Sequence, residues 1–315
     1  MLDETDIGGC PKRAALLELA GKVLAGSARW GRGRLCMTGA PIEQTFVSVH
    51  DAVRLTLEPD DPAGGAQGQL GRCLTWIEAF DLDGSGFNTD WLEAIKAGQN
   101  DLRTPLRFGA WLGLRARYDD PTPAAKIYAE APELGFSDFG RLVSSCLGNG
   151  PTGAGLPGQA TVVGLSADGS TEVYFAARDL LPSAVGRILD VAGQGGRSSE
   201  VIELLAELTL SQSRARLPVR DIGYSYAVAT DGTIGAVTVY TTALGLFGRD
   251  SVLATRLAGA AEQLGGDLSD LAEAIAGKPE LPAGELHCGM VGITIAPKAA
   301  PILSCGIALD EGIAQ

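Results

Sequence analysis

The sequence is poor in the residues that build metal centres and stacking surfaces. It holds two histidines among 315 residues, and its six cysteines include no CxxC pair or other metal-type spacing. A Cys/His zinc site is therefore not expected, and the thiols are interpreted as reduced and mostly buried. Aromatic residues make up 6% of the chain, so few side chains can stack on an aromatic ligand. Phe108 and Trp111 are candidates for that role.

Positive charge and long apolar segments are also scarce. The net charge is −13, and phosphate groups repel an acidic surface, which argues against general binding to nucleic acid or anionic membranes. No apolar run approaches membrane-spanning length, and no secretory signal pattern opens the sequence. We expect a cytoplasmic protein with neither nucleic acid nor membrane as a partner.

What the sequence does contain is a repeated order of helix-type and strand-type segments. Hydrophobic residues are 45% and charged residues 20% of the chain, an ordinary globular balance. Amphipathic helix patterns occur at 13–26, 69–80, 89–98, 137–147, 181–193, 198–210, 250–264 and 267–276. Strand pairs are predicted at 41–58, 107–118 with 125–131, 160–177, on both sides of 231–232, and 286–296 with 301–309. This period of about 50–60 residues indicates a repeated supersecondary unit.

The strand pairs predict an antiparallel sheet rather than a Rossmann sheet or a parallel barrel. Asp168-Gly169 and Asp231-Gly232 are strong hairpin turns, and breaks at His50-Asp51 and Asp119–Pro123 separate two further pairs. About ten antiparallel strands with helices on one face avoid exposed edges by closing into a barrel. We therefore predict an α+β fold, a closed antiparallel ten-stranded barrel of five α-β-β-α units in one domain over 1–315. An open antiparallel sheet is the alternative.

Polar side chains recur with period two on the predicted strands. Alternate strand residues share a face, which groups Lys126 with Tyr128 and Glu172 with Tyr174. Glu43, Arg54 and Tyr240 occupy comparable positions on other strands. A solvent-facing sheet would explain each strand alone, but similar Lys-Ile-Tyr, Glu-Val-Tyr and Val-Thr-Val-Tyr segments in successive hairpins favour one shared interior.

Basic and phenolic groups in one interior suit a diphosphate. Ammonium and guanidinium groups supply charge, and phenols donate hydrogen bonds to phosphate oxygens. The sequence has no GxxxxGK[ST] loop, and the acidic pairs Asp60-Asp61 and Asp119-Asp120 precede prolines at turn-like breaks. A DxDGxG segment begins at Asp81, but Leu92 stands where a calcium loop needs its bidentate acid. This segment is interpreted as a loop before a helix capped near Asn88 or Thr89.

At these residues the sequence resembles the aromatic prenyltransferases of the ABBA, or PT-barrel, fold. TGAPIEQTFVSVHDAVRLTLEP and AAKIYAEAP are similar to segments of dimethylallyltryptophan synthases, and DGSTEVYFAARDLL to a strand of cyanobactin prenyltransferases. GMVGITIAPKAAPILSCGIALDE is similar to the last hairpin of small bacterial members that prenylate phenols. These stretches cover 38–59, 124–132, 168–181 and 289–311.

The resemblance implies a prenyl diphosphate as one partner and an aromatic small molecule or peptide as the other. It implies that Glu43 is the catalytic base and that Arg54 and Lys126 bind diphosphate, with Tyr128 beside the diphosphate and prenyl chain. Tyr174 and Tyr240 fall at the positions of shielding tyrosines. It implies no required cofactor and leaves Mg²⁺ open.

The chain departs from this pattern on the third hairpin. Fungal indole enzymes carry basic residues where this sequence has Ser170 and Glu172. Two alternatives therefore remain beside the prenyltransferase hypothesis. One is a barrel of the same fold that binds or transforms a small organic ligand without diphosphate chemistry. The other is an unrelated α+β binding or assembly protein.

Overall fold

Ten strands form one closed antiparallel barrel. The computed structural model describes residues 11–24, 32–49, 52–59, 65–100, 105–118, 123–131, 142–143, 147, 156–211, 216–246, 248–282 and 284–310. The strands are β1 Ile42–Val47, β2 Ala52–Leu57, β3 Ala110–Arg117, β4 Ala124–Glu130, β5 Gln159–Ser166, β6 Thr171–Arg178, β7 Asp221–Val228, β8 Ile234–Thr242, β9 Cys288–Ile295 and β10 Ile302–Ala308. Each strand pairs with the next in the chain, and β1 completes the ring by pairing with β10.

Closure confirms the predicted fold class and excludes the open sheet. The joining register runs from Glu43 opposite Ala308 to Val47 opposite Ser304. The assignment of all of 1–315 to one domain stays a prediction.

Among the described residues, one helix precedes the first strand and seven lie between strand pairs. They are α1 Pro11–Leu24, α2 Gln69–Ala79, α3 Thr89–Gln99, α4 Pro182–Asp190, α5 Ser198–Leu208, α6 Ala243–Leu246, α7 Asp250–Gln263 and α8 Ser269–Ala276. Asn88 caps α3 by accepting a hydrogen bond from the Trp91 N–H at 3.2 Å, the predicted helix start. Most of the helix predicted at 137–147 falls outside the described residues.

Alternation along the strands separates an apolar outer face from a polar inner face. On β2 the side chains of Val53, Leu55 and Leu57 are buried in the hydrophobic core, while Arg54 and Thr56 lie on the opposite face. Because successive strand residues point to opposite faces, the apolar set packs under the helices and the polar set lines the interior.

Two of the predicted hairpin turns have the expected chemistry. Gly169 and Gly232 have φ values of 81° and 83°, a conformation that glycine adopts without steric cost. The carboxylates of Asp168 and Asp231 each accept a backbone N–H two residues later, at 2.9 Å. The breaks at 50–51 and 119–122 lie outside the described residues.

An aromatic cluster fastens β6 and β7 to the helical layer. The rings of Phe175 and Tyr224 stack with centroids 4.9 Å apart, and Tyr226 meets Phe175 edge-on at 5.9 Å. Both phenols donate to backbone carbonyls, Tyr224 to Pro157 and Tyr226 to Ile188. These tyrosines therefore belong to the outer core, and Ser225 between them faces inward.

Truncation of one outer-face residue should measure the contribution of this core. Ile127 on β4 is fully buried, and Ile127→Ala should lower the free energy of unfolding by about 2–5 kcal/mol through lost burial and a residual cavity. Urea denaturation checks this value. Val252→Ala, at a 39% exposed position on α7, should change stability by about 0.5 kcal/mol or less; equal losses in both variants would contradict the packing described here.

Candidate active site

Lys126 and Glu172 form an ion pair on the inner wall of the barrel. Lys126 on β4 and Glu172 on β6 lie on either side of β5, and their Nζ and Oε2 atoms are 2.5 Å apart. Gly164 on β5 lies between them, and a Cβ there would stand 2.5 Å from Lys126 Cε. The absence of a side chain at Gly164 lets the lysine cross β5.

Glu172 is the acceptor at the centre of this group. Its Oε1 atom accepts hydrogen bonds from Ser225 Oγ at 2.5 Å and from the Tyr240 hydroxyl at 3.2 Å. Burial alone would raise the pKa of Glu172, but the charge of Lys126 and the hydrogen bonds hold it below its ordinary value. The carboxylate is therefore anionic at neutral pH.

Lys126 is correspondingly held in its charged form. Burial alone would lower its pKa, but the Glu172 carboxylate offsets this effect and leaves the pKa above the ordinary value. The ammonium group also lies 4.9 Å from the ring centroid of Tyr128 and 5.8 Å from that of Tyr174. Both distances are within the range of cation–π attraction.

Three tyrosine rings continue along the wall from the lysine. The Tyr128 and Tyr174 centroids are 5.9 Å apart and edge-on, and the Tyr174 and Tyr240 centroids are also 5.9 Å apart. Burial raises the pKa of Tyr174 and of Tyr240 well above the ordinary phenol value, with Glu172 adding to the rise. Both phenols therefore stay protonated and act as donors.

Glu43 lies apart from this cluster on the same inner surface. Glu43 pairs with Thr56 on β2, Thr56 pairs with Gly113 on β3, and Gly113 pairs with Lys126 on β4. The backbone positions of Glu43 and Lys126 are therefore three strand spacings apart, or roughly 14 Å along the wall. Gly306 on β10 leaves room for the carboxyl group, because a Cβ there would overlap it. Burial raises the pKa of Glu43 to about 7. Near neutral pH this group exchanges a proton readily.

Two arginines occupy inner-face positions beside the cluster. Arg54 on β2 pairs in register with Arg115 on β3. The positive charge of Arg54 is close enough to Lys126 to act against the rise in the pKa of that lysine. The facing of Arg115 could not be read from the sequence, and the structure turns it inward. Lys298, another basic residue near a hairpin, lies in the exposed β9–β10 turn.

An aromatic pair adjoins Tyr128. The rings of Phe108 and Trp111 stack with centroids 3.9 Å apart, and Trp111 is the register partner of Tyr128. The carboxylate of Glu130 holds the preceding loop by accepting the backbone N–H groups of residues 107–109. The indole Nε1 of Trp111 is buried without a hydrogen-bond partner among the described residues.

Comparison with known proteins finds relatives by structure alone. No protein-family model matches the chain, and no curated protein matches its sequence. The crystal structure of 5-dimethylallyltryptophan synthase from Streptomyces coelicolor matches with a TM-score of 0.71 and 16% identity, over 94% of this chain and 90% of that one. The chain therefore has the fold of the ABBA aromatic prenyltransferases.

Two further ABBA barrels show how widely the likeness extends. The 6-dimethylallyltryptophan synthase from Micromonospora olivasterospora, solved in complex with DMASPP and Trp, matches with a TM-score of 0.72 and 16% identity, over 96% of this chain and 92% of that one. AnaPT from Neosartorya fischeri matches with a TM-score of 0.63 and 14% identity, over 91% and 84%.

In this ABBA barrel the six residues named from sequence all lie on inner-face strand positions. The structure brings together Lys126, Tyr128, Tyr174 and Tyr240. Glu43 on β1 lies away from this group, and Arg54 on β2 lies between Glu43 and the group. Their catalytic roles stay predictions.

Ser225 is the contact residue that sequence reasoning missed. Its one signal in the sequence is its position in the hairpin, because the register across the Asp231-Gly232 turn pairs Ser225 with Thr238, on the face of Tyr240.

The other site signals in the sequence lead to no metal centre in the described residues. No group of three or more His, Cys, Asp or Glu residues is placed to hold a metal ion in that part of the chain. The carboxylate of Asp83 accepts from Ser85 within its own loop. Cys36, Cys73, Cys288 and Cys305 are free and buried, whereas Cys10 and Cys146 lie outside the described residues. None of the helices described is long and apolar enough to cross a membrane.

The raised pKa of Glu43 predicts a pH-dependent cost to stability. A carboxyl group with a raised folded-state pKa favours folding below its unfolded pKa, and this contribution is lost as pH rises through about 7. Between pH 5.5 and 8.5 the wild type should lose roughly 2 kcal/mol of unfolding free energy relative to Glu43→Gln. Urea denaturation at several pH values measures this difference.

An exposed acid provides the control for that measurement. Glu207→Gln, on the solvent side of α5, should leave the pH dependence of the wild type unchanged. A constant stability difference between wild type and Glu43→Gln across the range would show that Glu43 does not titrate near neutrality.

Proposed function

We propose that this protein is an aromatic prenyltransferase. It would transfer an allylic prenyl group from a prenyl diphosphate to an indole, a phenol or an aromatic side chain of a peptide. The observation that carries the proposal is that Lys126 and three tyrosine rings share one inner wall of a closed barrel. The structural relative from Micromonospora olivasterospora, which has the same fold, was solved with DMASPP and Trp, and this supports the same kinds of partner here.

Ionisation of the donor is assigned to the basic residues. The allylic C–O bond breaks, the electron pair leaves with the diphosphate, and a resonance-stabilised allylic cation remains. Lys126 and Arg54 stabilise the charge that develops on the departing diphosphate. Arg115 faces the same interior, and its guanidinium adds a third positive charge to those of Lys126 and Arg54.

The tyrosine rings are assigned to the cation. Their π-faces attract positive charge, and the packed rings exclude the water that would otherwise capture the cation. Trp111 and Phe108 adjoin Tyr128 and offer an aromatic surface for the acceptor. The acceptor carbon or nitrogen then forms a bond to the allylic carbon.

Glu43 is assigned to the final proton transfer. Attack by the aromatic ring leaves a proton on the acceptor, and this proton passes to the carboxylate. A pKa of about 7 matches the pH at which a general base is most effective. No step of this sequence is assigned to a metal ion, and the effect of Mg²⁺ on donor binding is left to experiment.

Product analysis tests the proposed function directly. The full chain is incubated with dimethylallyl or geranyl diphosphate and with tryptophan, a simple phenol or an aromatic peptide, and products are weighed by mass spectrometry. A mass increase equal to one prenyl group minus one hydrogen supports the proposal. No transfer with any pair, by protein that is folded, would overturn it.

Replacement of the proposed base should separate chemistry from binding. Glu43→Gln should lower the alkylation rate by about 10²–10⁴-fold, because the positioned proton acceptor is lost. Pyrophosphate affinity should remain within about threefold, because the diphosphate is assigned to other residues. Wild-type kcat should rise with pH through about 7. Unchanged turnover in Glu43→Gln would remove the residue from the mechanism.

Removal of one shielding ring should let water compete for the cation. In Tyr174→Ala, the ratio of prenyl alcohol to alkylated product should rise about tenfold. The reason is that the allylic cation loses the cation–π attraction of the Tyr174 ring, roughly 1–2 kcal/mol. Tyr174→Phe keeps the face and should retain most of the wild-type partition. The ratio of the two products is measured by chromatography, and equal ratios in all three proteins would contradict the assigned role.

A second candidate function is favoured by the Glu172 contact. Lys126 already bonds a carboxylate, which is consistent with a barrel that binds a small organic ligand without diphosphate chemistry. The product analysis with prenyl diphosphates separates the two candidates, because only the prenyltransferase would form alkylated product.

A further inference from the structure

Glu172 is an acidic side chain in direct contact with the ammonium group assigned to diphosphate. Its Oε2 atom is 2.5 Å from Lys126 Nζ, and the two side chains are 14% and 22% exposed. Both therefore remain within reach of the interior. An anion that approaches Lys126 meets a full negative charge at hydrogen-bond distance from its target.

The surrounding residues hold Glu172 in this position and in this charge state. Ser225 and Tyr240 donate to Oε1 while Lys126 donates to Oε2, so both carboxylate oxygens are engaged. Gly164 provides the passage through which Lys126 reaches across β5. A contact that depends on five residues of five adjacent strands is a built arrangement, not a chance meeting of surface side chains.

We propose that Glu172 is a specificity-determining residue that serves as an internal counter-anion to Lys126 and weakens the binding of multiply charged anions. The proposal rests on the proposed function to the extent that diphosphate is the anion involved. The penalty arises because a bound anion must share Lys126 with a carboxylate that repels it, and this repulsion grows with the charge of the anion. Glu172 therefore discriminates against diphosphate more than against anions of lower charge.

Neutralisation of Glu172 in the full chain tests this role. Pyrophosphate is titrated by calorimetry into the wild type, Glu172→Gln, Lys126→Met and the double variant. Glu172→Gln keeps the shape and removes the charge, and it should bind pyrophosphate at least tenfold more tightly. The increase in affinity caused by Glu172→Gln should be smaller for inorganic phosphate than for pyrophosphate. In the Lys126→Met background this increase should vanish.

Two variants serve as matched controls. Glu172→Asp keeps the negative charge and should stay within about threefold of the wild type, and Glu207→Gln removes one exposed charge on α5 and should do the same. If thermal unfolding shows that Glu172→Gln does not fold, Glu172→Ala takes its place. A folded neutral variant that binds pyrophosphate no more tightly overturns the proposal. So does an equal gain without Lys126.

The outcome is distinguishable from that of the proposed function. Prenylated product from the wild type with no affinity gain in Glu172→Gln overturns the counter-anion role and leaves the function in place. An affinity gain in Glu172→Gln without product from any donor and acceptor pair supports the role and overturns the function.

Discussion

The pairing of β1 with β10 is the contact on which the interior depends. Five consecutive residue pairs, from Glu43–Ala308 to Val47–Ser304, join the first strand to the last. This pairing removes both sheet edges and turns one face of every strand into a common inner wall. Without it, Lys126 and the tyrosines would lie on a polar sheet surface open to water, where a cation–π or ion-pair contact contributes little.

Enclosure then gives two carboxyl groups different properties. Glu172 is surrounded by Lys126, Ser225 and Tyr240, which together hold its pKa below the ordinary value. Burial raises the pKa of Glu43 to about 7 instead. Two acids on the same wall are thus suited to different roles, one as a permanent anion and the other as a proton acceptor near neutral pH.

The parts of the fold and site that could be predicted are those encoded in local patterns. Asp168-Gly169 and Asp231-Gly232 marked their turns because glycine readily adopts the backbone conformation seen there. Alternation placed Lys126 with Tyr128 and Glu172 with Tyr174, because the period of a strand does not depend on its partners. Ser225 was missed because its importance comes from a hydrogen bond to Glu172 on the neighbouring strand. The inward facing of Arg115 likewise depends on its register with Arg54.

The sequence by itself determined the order of helices and hairpins and the separation of each strand into a polar and an apolar face. Hydrophobic periodicity and turn chemistry act over a few residues, so they can be read along the chain. Only the tertiary structure decided that the ammonium group of Lys126 contacts the carboxylate of Glu172. That contact joins residues 46 positions apart, and it depends on the stagger of three adjacent strands and on the missing side chain of Gly164, which no local pattern specifies.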